Sequence, residues 1–159
     1  MRVRDYTRED REACLAVFDG NVPEFFVPAE REAFAAFLDD LPGPYLVVED
    51  EDGRVVACGG YAVTPGTRTA DLCWGMVARP RHGTGIGRLL TDARLERVRA
   101  DPGVHDVALN TSQHTAGFYA RRGFATERVV PDGFAPGLDR CDMRLVLDPA
   151  RPGAGPRRK

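Results

Sequence analysis

The chain has 159 residues and a mass of 17.4 kDa, with 43% hydrophobic and 29% charged residues, which suits one globular domain and excludes disordered or collagen-like chains. Its 22 basic and 24 acidic residues give a formal net charge of −2, so no overall positive field would attract nucleic acid. The single lysine, Lys159, ends the chain, which excludes enzymes that need an internal lysine as a Schiff base or phosphate ligand.

The first half of the chain is predicted to hold a short strand, two helices and a three-stranded meander. Apolar residues at helical spacing and caps at the ends define the helices, and β-type runs around turn residues define the strands. The elements after the opening strand are a helix that begins after Thr7 and ends at 19–21, a helix that opens at Pro28, and strands over 45–49, 54–58 and 69–77.

The second half is predicted to alternate helices and strands. The helix that begins at Ile86 has an apolar face of Ile86, Leu89, Leu90, Ala93 and Val98, with arginines elsewhere. The later elements are a strand over 104–110, a helix over 115–122, and strands over 124–130 and 141–147 around a turn rich in proline and glycine. This order predicts a single α/β or α+β domain over 1–147, and the apolar-free segment 148–159 is predicted to be a disordered tail.

The remaining sequence features favour a cytoplasmic protein. No window approaches the ~18 apolar residues of a membrane span, and the N-terminus leads into no apolar signal segment. The four cysteines form no CxxC pair and are interpreted as reduced thiols. His105 and His114 lack acids at ligand spacing, so no metal is expected.

Three alternating glycines follow the predicted strand 69–77 and open the helix that begins at Ile86. Gly83, Gly85 and Gly87 remove side chains where the backbone turns, so that N–H groups at the helix start can face an anion. This arrangement favours a phosphate site over a simple tight turn. It is not a Walker A loop, because Arg88 stands where that loop requires a lysine. It is not a Rossmann fingerprint either, because Arg88 stands where that motif requires its third glycine.

The segment His82-Gly83-Thr84-Gly85-Ile86-Gly87 resembles the cofactor loop Q/R-x-x-G-x-G/A of the GNAT superfamily of acetyl-coenzyme A dependent N-acetyltransferases, with histidine in the first position. A second block of that superfamily, an Asn-bearing strand followed by a helix ending in L/F-Y-x-x-x-G-F, is matched by Asn110-Thr111-Ser112 and by residues 118–124. The element order over roughly residues 3 to 147 also matches. The resemblance implies a mixed, mostly antiparallel sheet with splayed central strands, flanked by about four helices.

The resemblance also implies acetyl-CoA as cosubstrate and a role for each matched position. Backbone groups of residues 76–78 would contact the pantetheine arm and the thioester, Tyr119 would donate a proton to the departing sulfur, and Arg88 would meet a coenzyme A phosphate. The expected cofactor-binding residues are Met76, Val77, Ala78, His82, Gly83, Thr84, Gly85, Ile86, Gly87, Arg88 and Asn110.

Two of the expected catalytic assignments have ordinary alternatives. Asp71 stands eleven positions before His82, where some members of the superfamily carry a carboxylate base. An aspartate would need a water relay there, and a solvated strand acid is an equal interpretation. Tyr119 could instead be a core aromatic beside Phe118.

The function implied is transfer of acetyl from acetyl-CoA to a primary amine by direct attack in a ternary complex. The alternatives are a non-catalytic domain that binds or senses acyl-CoA, and an unrelated nucleotide-binding module. The acceptor can be a small amine, a peptide N-terminus or a protein lysine, with its pocket expected between residues 18–37 and 130–140 and with Phe25, Phe26, Glu24, Asp132 and Asp139 as candidate contacts. A homodimer could form through an antiparallel strand at the C-terminal edge.

Overall fold

The structure, a computed structural model, describes residues 1–147 and contains seven strands, four helices and two short 3₁₀ turns there. The elements are β1 Arg2–Asp5, α1 Arg11–Gly20, α2 Glu30–Asp39, β2 Tyr45–Glu49, β3 Val55–Val63, β4 Thr69–Val77, α3 Ile86–Arg99, β5 Asp106–Thr111, α4 Ala116–Ala120, β6 Ala125–Ala135 and β7 Leu138–Val146. The 3₁₀ turns are Arg8–Asp10 and Arg79–Arg81. The predicted tail over 148–159 lies outside the described residues.

The strands form one seven-stranded sheet in the order β1-β2-β3-β4-β5-β7-β6. The β1–β2, β2–β3, β5–β7 and β6–β7 pairs are antiparallel. The β4–β5 pair is parallel and joins residues 69–71 to residues 106–108. The predicted mixed sheet with four helices is therefore confirmed, and every predicted helix and strand is present, with the predicted ends for β2 and β4 and shifted ends for most of the others.

Two compact units share the chain, and β4 contributes to both. The first comprises Met1–Ala62 and Cys73–Glu96. In it, α1 and α2 pack on one face of the strands, around Tyr45, Val47 and Cys58, whereas α3 packs with Leu46 and Val48. Successive residues of β2 thus alternate between two helical layers, as the two-residue period of a strand requires.

The second unit comprises Val63–Leu72 and the chain from Arg97 onward. The strand β5 pairs along its whole length with β7, so that Asn110 lies opposite Asp142. Val107 and Leu109 are buried, and the carboxylate of Asp106 accepts hydrogen bonds from Thr69 Oγ1 at 2.6 Å and from an arginine of β7. These contacts tie the start of β4 to β5 and β7.

Strand β3 continues to Val63, beyond the predicted end at residue 58. The prediction ends there because glycines weaken strands, and Gly59 and Gly60 follow. In the structure these glycines allow close approach: a Cβ on Gly59 would lie 3.0 Å from the Cα of Gly75, and a Cβ on Gly60 would overlap the carbonyl oxygen of Pro44. Packing therefore overrides the local preference.

The buried face of α3 differs from the predicted one. Ile86, Leu90 and Val98 are buried as predicted, but Leu89 is 38% exposed. Arg94, predicted to lie away from the apolar face, is only 1% exposed and belongs to that face. The prediction that arginines occupy only the other faces of the helix was wrong.

The turn between β2 and β3 is held by the carboxylate of Asp50. Its Oδ1 accepts hydrogen bonds from the backbone N–H groups of Asp52 at 2.9 Å and Arg54 at 3.0 Å, and its Oδ2 accepts one from Arg81 Nη2 at 2.8 Å. The backbone N–H groups and the charges of Arg81 and Arg54 lower the pKa of Asp50 below its usual value. This carboxylate therefore also anchors the 3₁₀ turn that follows β4.

We expect Asp50→Asn to lower the melting temperature at pH 7, because the ion pair with Arg81 is lost. A carboxyl group whose pKa is lowered by folding stabilises the protein above its unfolded-state pKa of about 4, and this contribution disappears as the pH falls through the folded-state value. Thermal denaturation of wild type and variant between pH 7 and pH 3 measures the difference, which should shrink toward acid. Asp52→Asn, in the same turn, is the control, and an Asp50→Asn effect independent of pH would contradict this account.

Candidate active site

Strand β4 changes conformation at Trp74, which has a φ of +47° in the middle of the strand. A left-handed non-glycine residue costs roughly 1–2 kcal/mol. The Trp74 ring packs against the rings of Phe26 and Phe34, and its carbonyl accepts a 2.8 Å hydrogen bond from the hydroxyl of Tyr45. These contacts hold the strained residue in place, just before the last residues of β4.

The peptide group between Val77 and Ala78 is bonded at both of its polar atoms. The carbonyl oxygen of Val77 accepts a hydrogen bond from Asn21 Nδ2 and one from His82 Nε2, both at 2.9 Å. Because a carbonyl can only accept, His82 Nε2 carries the proton. The N–H of Ala78 donates to the carbonyl of Val56 at 2.8 Å. Since successive N–H groups of a strand point to opposite edges, the N–H of Val77 points away from β3.

Asn21 is 2% exposed and joins the end of α1 to the end of β4. Its Nδ2 also donates to the carbonyl of Val17, one turn back in α1, at 2.8 Å. This residue was not among the predicted site residues. An asparagine after a helix indicates a helix end, but nothing in the local sequence indicates a partner 56 positions further on.

The segment between α1 and α2 packs onto His82 and the 3₁₀ turn Arg79–Arg81. The ring of Phe25 meets the His82 ring edge-on at 5.0 Å, and the Arg79 guanidinium lies 5.3 Å from the centre of the Phe25 ring. Arg79 also forms an ion pair with Glu24. Among the candidate acceptor contacts, Glu24 and Phe25 thus bind neighbouring side chains, and Phe26 belongs to the aromatic cluster around Trp74.

The loop after His82 turns through two left-handed glycines. Gly83 has a φ of +77° and Gly85 a φ of +89°, conformations that L side chains rarely adopt. Thr84 Oγ1 donates to the carbonyl of Arg81 at 2.5 Å and fixes the turn from within. Gly87 lies in the first turn of α3 and is not among the glycines with a positive φ, so its role differs from that of the other two.

Residues 83–88 present six consecutive backbone N–H groups without a hydrogen-bond acceptor in the described part of the chain. The first bond of α3 is donated only by Leu89, to the carbonyl of Gly85, at 3.1 Å. These N–H groups, called the cradle below, include the positive end of the helix dipole, a position that favours anions. The exposed Arg88 also forms no ion pair within residues 1–147. The predicted phosphate loop therefore offers N–H donors that a phosphate would need, and phosphate binding there stays a prediction.

Tyr119 lies in the second unit, on α4. Its ring is half-buried and packs edge-on against Phe118 at 5.1 Å and against Phe124 at 5.7 Å. Its hydroxyl makes no hydrogen bond to any of the residues 1–147. The ring is thus held as a core aromatic would be, while the hydroxyl is available to a ligand.

The other two predicted residues of the second unit have partners there. Asp71 is half-buried on β4 and accepts a 3.2 Å hydrogen bond from Thr64 Oγ1. Asn110 is exposed, and its amide, oriented to satisfy its neighbours, donates to Asp142 Oδ1 at 2.9 Å. Residues 76–78 and 82–88 belong instead to the first unit, where both lie within the continuous segment Cys73–Glu96.

Two negative findings apply to residues 1–147. This part of the chain contains no group of three or more His, Cys, Asp or Glu side chains placed to hold a metal ion. None of its helices has the length and apolar character needed to cross a membrane.

Comparison with known proteins decides the family. The model of the acetyltransferase (GNAT) family matches residues 14–124, which include β4, the glycine loop and Tyr119. The chain belongs to the GNAT acetyltransferase family. It is therefore an acyltransferase of the GNAT type, and its resemblance to that family is confirmed. No curated protein sequence matches the chain.

Solved structures of GNAT proteins share this fold. One assigned to the family, from Desulfovibrio desulfuricans, is 26% identical with a TM-score of 0.76 over 91% of this chain and 98% of that one. Ribosomal-protein-alanine N-acetyltransferase from Brucella melitensis is 24% identical, with a TM-score of 0.73 over 92% and 100%. An aminoglycoside 6'-N-acetyltransferase complexed with coenzyme A is 15% identical, with a TM-score of 0.77 over 96% and 99%.

We expect Gly85→Ala to weaken coenzyme A binding by roughly 5- to 30-fold, because a left-handed alanine costs about 1–2 kcal/mol and relief of that strain moves the N–H groups of the cradle. Titration calorimetry with coenzyme A measures the dissociation constant. Gly20→Ala is the control, since a Cβ there meets nothing within 4 Å and the residue has no positive φ. Equal affinity of wild type and Gly85→Ala would show that the cradle does not bind the cofactor.

Proposed function

We propose that this GNAT enzyme transfers acetyl from acetyl-CoA to a primary amine by direct attack in a ternary complex, without a covalent enzyme intermediate. The observation that carries the proposal is the run of six acceptor-free N–H groups at residues 83–88, directly after β4. A pyrophosphate is the group that such a run of N–H donors at a helix start binds best.

The glycine loop would hold the diphosphate of coenzyme A, and Arg88 one of its phosphates. Internal lysine, the usual point charge for a phosphate, does not occur in this sequence, so backbone N–H groups and arginines must supply the positive potential. The bound coenzyme A in one of the structural neighbours supports this cofactor for the shared fold. His82 contributes by position, because its ring binds the end of β4.

The N–H of Val77 would bind the thioester carbonyl oxygen. Of the backbone groups predicted to meet pantetheine and thioester, the carbonyl of Val77 and the N–H of Ala78 are already bonded, and the carbonyl of Ala78 accepts from the N–H of Arg81 at 2.8 Å. The Val77 N–H points away from β3, toward the edge of β4 on which the cofactor arm lies in our proposal. A donor fixed there stabilises the negative charge that develops on the oxygen during attack.

Tyr119 and Asp71 would move the protons of the reaction. The neutral amine attacks the carbonyl carbon, the new N–C bond forms, and the C–S bond breaks. Tyr119 donates its hydroxyl proton to the departing thiolate, a role that its unbonded hydroxyl supports. Asp71 takes the amine proton through a water molecule, because an aspartate side chain is short.

The acceptor belongs to one of three classes: a small amine, a peptide N-terminus or a protein lysine. Structural neighbours act on a ribosomal-protein alanine in one case and an aminoglycoside in another, so the shared fold does not choose between them. Asp132 and Asp139 are less suited to bind a cationic amine than the sequence suggests, because their carboxylates accept backbone N–H groups inside the β6–β7 turn.

Three further expectations stay predictions. The first is that Asn110 contacts the cofactor arm. In the structure the amide of Asn110 donates to Asp142. A homodimer through the C-terminal edge of the sheet would use β6, which stands last in the strand order and is mostly exposed. The cytoplasmic location expected from the sequence is likewise a prediction.

We expect Tyr119→Phe to reduce acceptor-dependent release of coenzyme A thiol roughly 10²-fold or more, since general acid catalysis typically contributes about that factor. The assay follows free thiol from acetyl-CoA with a panel of a polyamine, an aminoglycoside, a peptide with N-terminal alanine and a lysine peptide. Tyr6→Phe is the control, because it removes a buried hydroxyl that has no hydrogen-bond partner in the part of the chain that the structure describes.

Each other outcome of that experiment changes a defined part of the proposal. Equal rates for wild type and Tyr119→Phe would keep the transferase and remove the general acid. Binding of acetyl-CoA without release by any acceptor class would favour the non-catalytic acyl-CoA binding domain. In a separate competition titration, equal affinity of the protein for ATP and for coenzyme A would contradict recognition of the pantetheine arm.

A further inference from the structure

Arg94 places a positive charge in the apolar stripe of α3. The stripe has a spacing of four residues, Ile86, Leu90, Arg94 and Val98, and the other three members are buried hydrophobic residues. Arg94 is 1% exposed, the largest side chain among the fully buried ones. A buried charge costs free energy unless it is paired, so this arginine requires an explanation.

The contacts of Arg94 do not neutralise its charge. Its Nη1 donates to the carbonyl of Gly60 at 3.3 Å and its Nη2 to the hydroxyl of Thr91 at 3.4 Å, both of which are long hydrogen bonds. Its Nε has no hydrogen-bond partner among residues 1–147. Within residues 1–147 no carboxylate forms an ion pair with Arg94. The guanidinium therefore keeps a largely uncompensated positive charge in a desolvated place.

Two glycines create the space that the guanidinium fills. A Cβ on Gly59 of β3 would lie 3.2 Å from both Cζ and Nη1 of Arg94, and a Cβ on Gly75 of β4 would lie 2.8 Å from Nη2. The charge thus lies directly against the backbone of β4. Gly75 precedes Val77 by two residues on the same face of the strand, so the cation is within about 7–8 Å of the Val77 N–H at ~3.3 Å per residue.

We propose that Arg94 is a positioning residue for the transfer reaction: its buried charge favours the negative charge that develops on the thioester oxygen at the Val77 N–H. This inference rests on the proposed function, because it requires acetyl-CoA to bind along the end of β4. The charge acts through the intervening backbone rather than by contact with the substrate. A fixed charge in a water-excluded site acts more strongly than one in solvent.

The charge of Arg94 also affects Tyr45, on the opposite face of the sheet. Burial raises the pKa of the Tyr45 hydroxyl well above its usual value, and the positive charge of Arg94 opposes this increase. That hydroxyl donates to the carbonyl of Trp74, the residue before Gly75.

The alternative role for Arg94 is purely structural, in which the side chain only fills the space between α3 and the two glycines. The two roles predict different results when the charge is removed, because a purely structural role leaves the carbonyl frequency of bound acetyl-CoA unchanged. Arg94→Met keeps an unbranched side chain without the charge, although it is two atoms shorter. Replacement of a buried charge by an apolar group is often neutral or stabilising, so we expect the melting temperature of Arg94→Met to be unchanged or raised.

The test combines steady-state kinetics with the carbonyl stretching frequency of bound acetyl-CoA that carries ¹³C in the acetyl carbonyl. We expect Arg94→Met to lower kcat about 10-fold, less than the loss of a direct oxyanion donor, with KM for acetyl-CoA nearly unchanged. The carbonyl band should move to higher wavenumber, because a weaker positive field polarises the bond less. Arg94→Lys should keep most of kcat, and Arg97→Met, on the exposed side of α3, should match wild type.

The outcomes separate this inference from the proposed function. If Arg94→Met binds acetyl-CoA with wild-type kcat and wild-type carbonyl frequency, Arg94 has no role in the reaction, whereas the transferase stands. If kcat falls together with the melting temperature while the carbonyl frequency is unchanged, the role is structural. If wild type itself fails to bind acetyl-CoA, the proposed function and this inference both fail.

Discussion

The site depends on one peptide group, the one between Val77 and Ala78, whose oxygen and N–H are both bonded within the first unit. Asn21 and His82 bind the oxygen, and Val56 accepts from the N–H. Since both hydrogen bonds to the oxygen come from side chains outside the sheet, β4 ends at a defined residue and in a defined orientation. The N–H of Val77 and the start of the glycine loop then have fixed directions, which is what a preorganised donor requires.

The same unit concentrates unusual backbone features. Trp74 is left-handed, which is unfavourable for a residue with a side chain, Gly83 and Gly85 take the left-handed conformations that glycine allows, and six N–H groups lack acceptors within the described residues. The aromatic cluster around Trp74 offsets the cost there, and the Asp50 carboxylate holds Arg81, just before the glycine loop. Strain and unsatisfied donors that occur together next to a family motif are typical of a binding site.

Local patterns in the sequence were sufficient to predict the helices and strands, whereas the mixed sheet was expected from the family resemblance, and phosphate binding by the glycine loop stays a prediction. Helical spacing and β-type runs around turn residues each depend on neighbours in the chain, and the structure confirms the elements that they predict. Asn21 and Arg94 could not be assigned roles in this way, because their partners lie far along the chain. Arg94 does leave one signal, since it occupies the position in the four-residue stripe of α3 where an apolar residue is expected. The extension of β3 through Gly59 and Gly60 was missed for the same reason, because contacts across the sheet outweigh the preference of glycine for turns.

The most direct test of the account is a ¹H–¹⁵N NMR titration of the protein with coenzyme A. If the glycine loop binds the diphosphate, the amide signals of residues 83–88 shift downfield together as their N–H groups gain an anionic acceptor, and the N–H of Ala78, which is already bonded to Val56, shifts little. A titration in which coenzyme A binds while the amides of 83–88 stay unchanged would contradict the account.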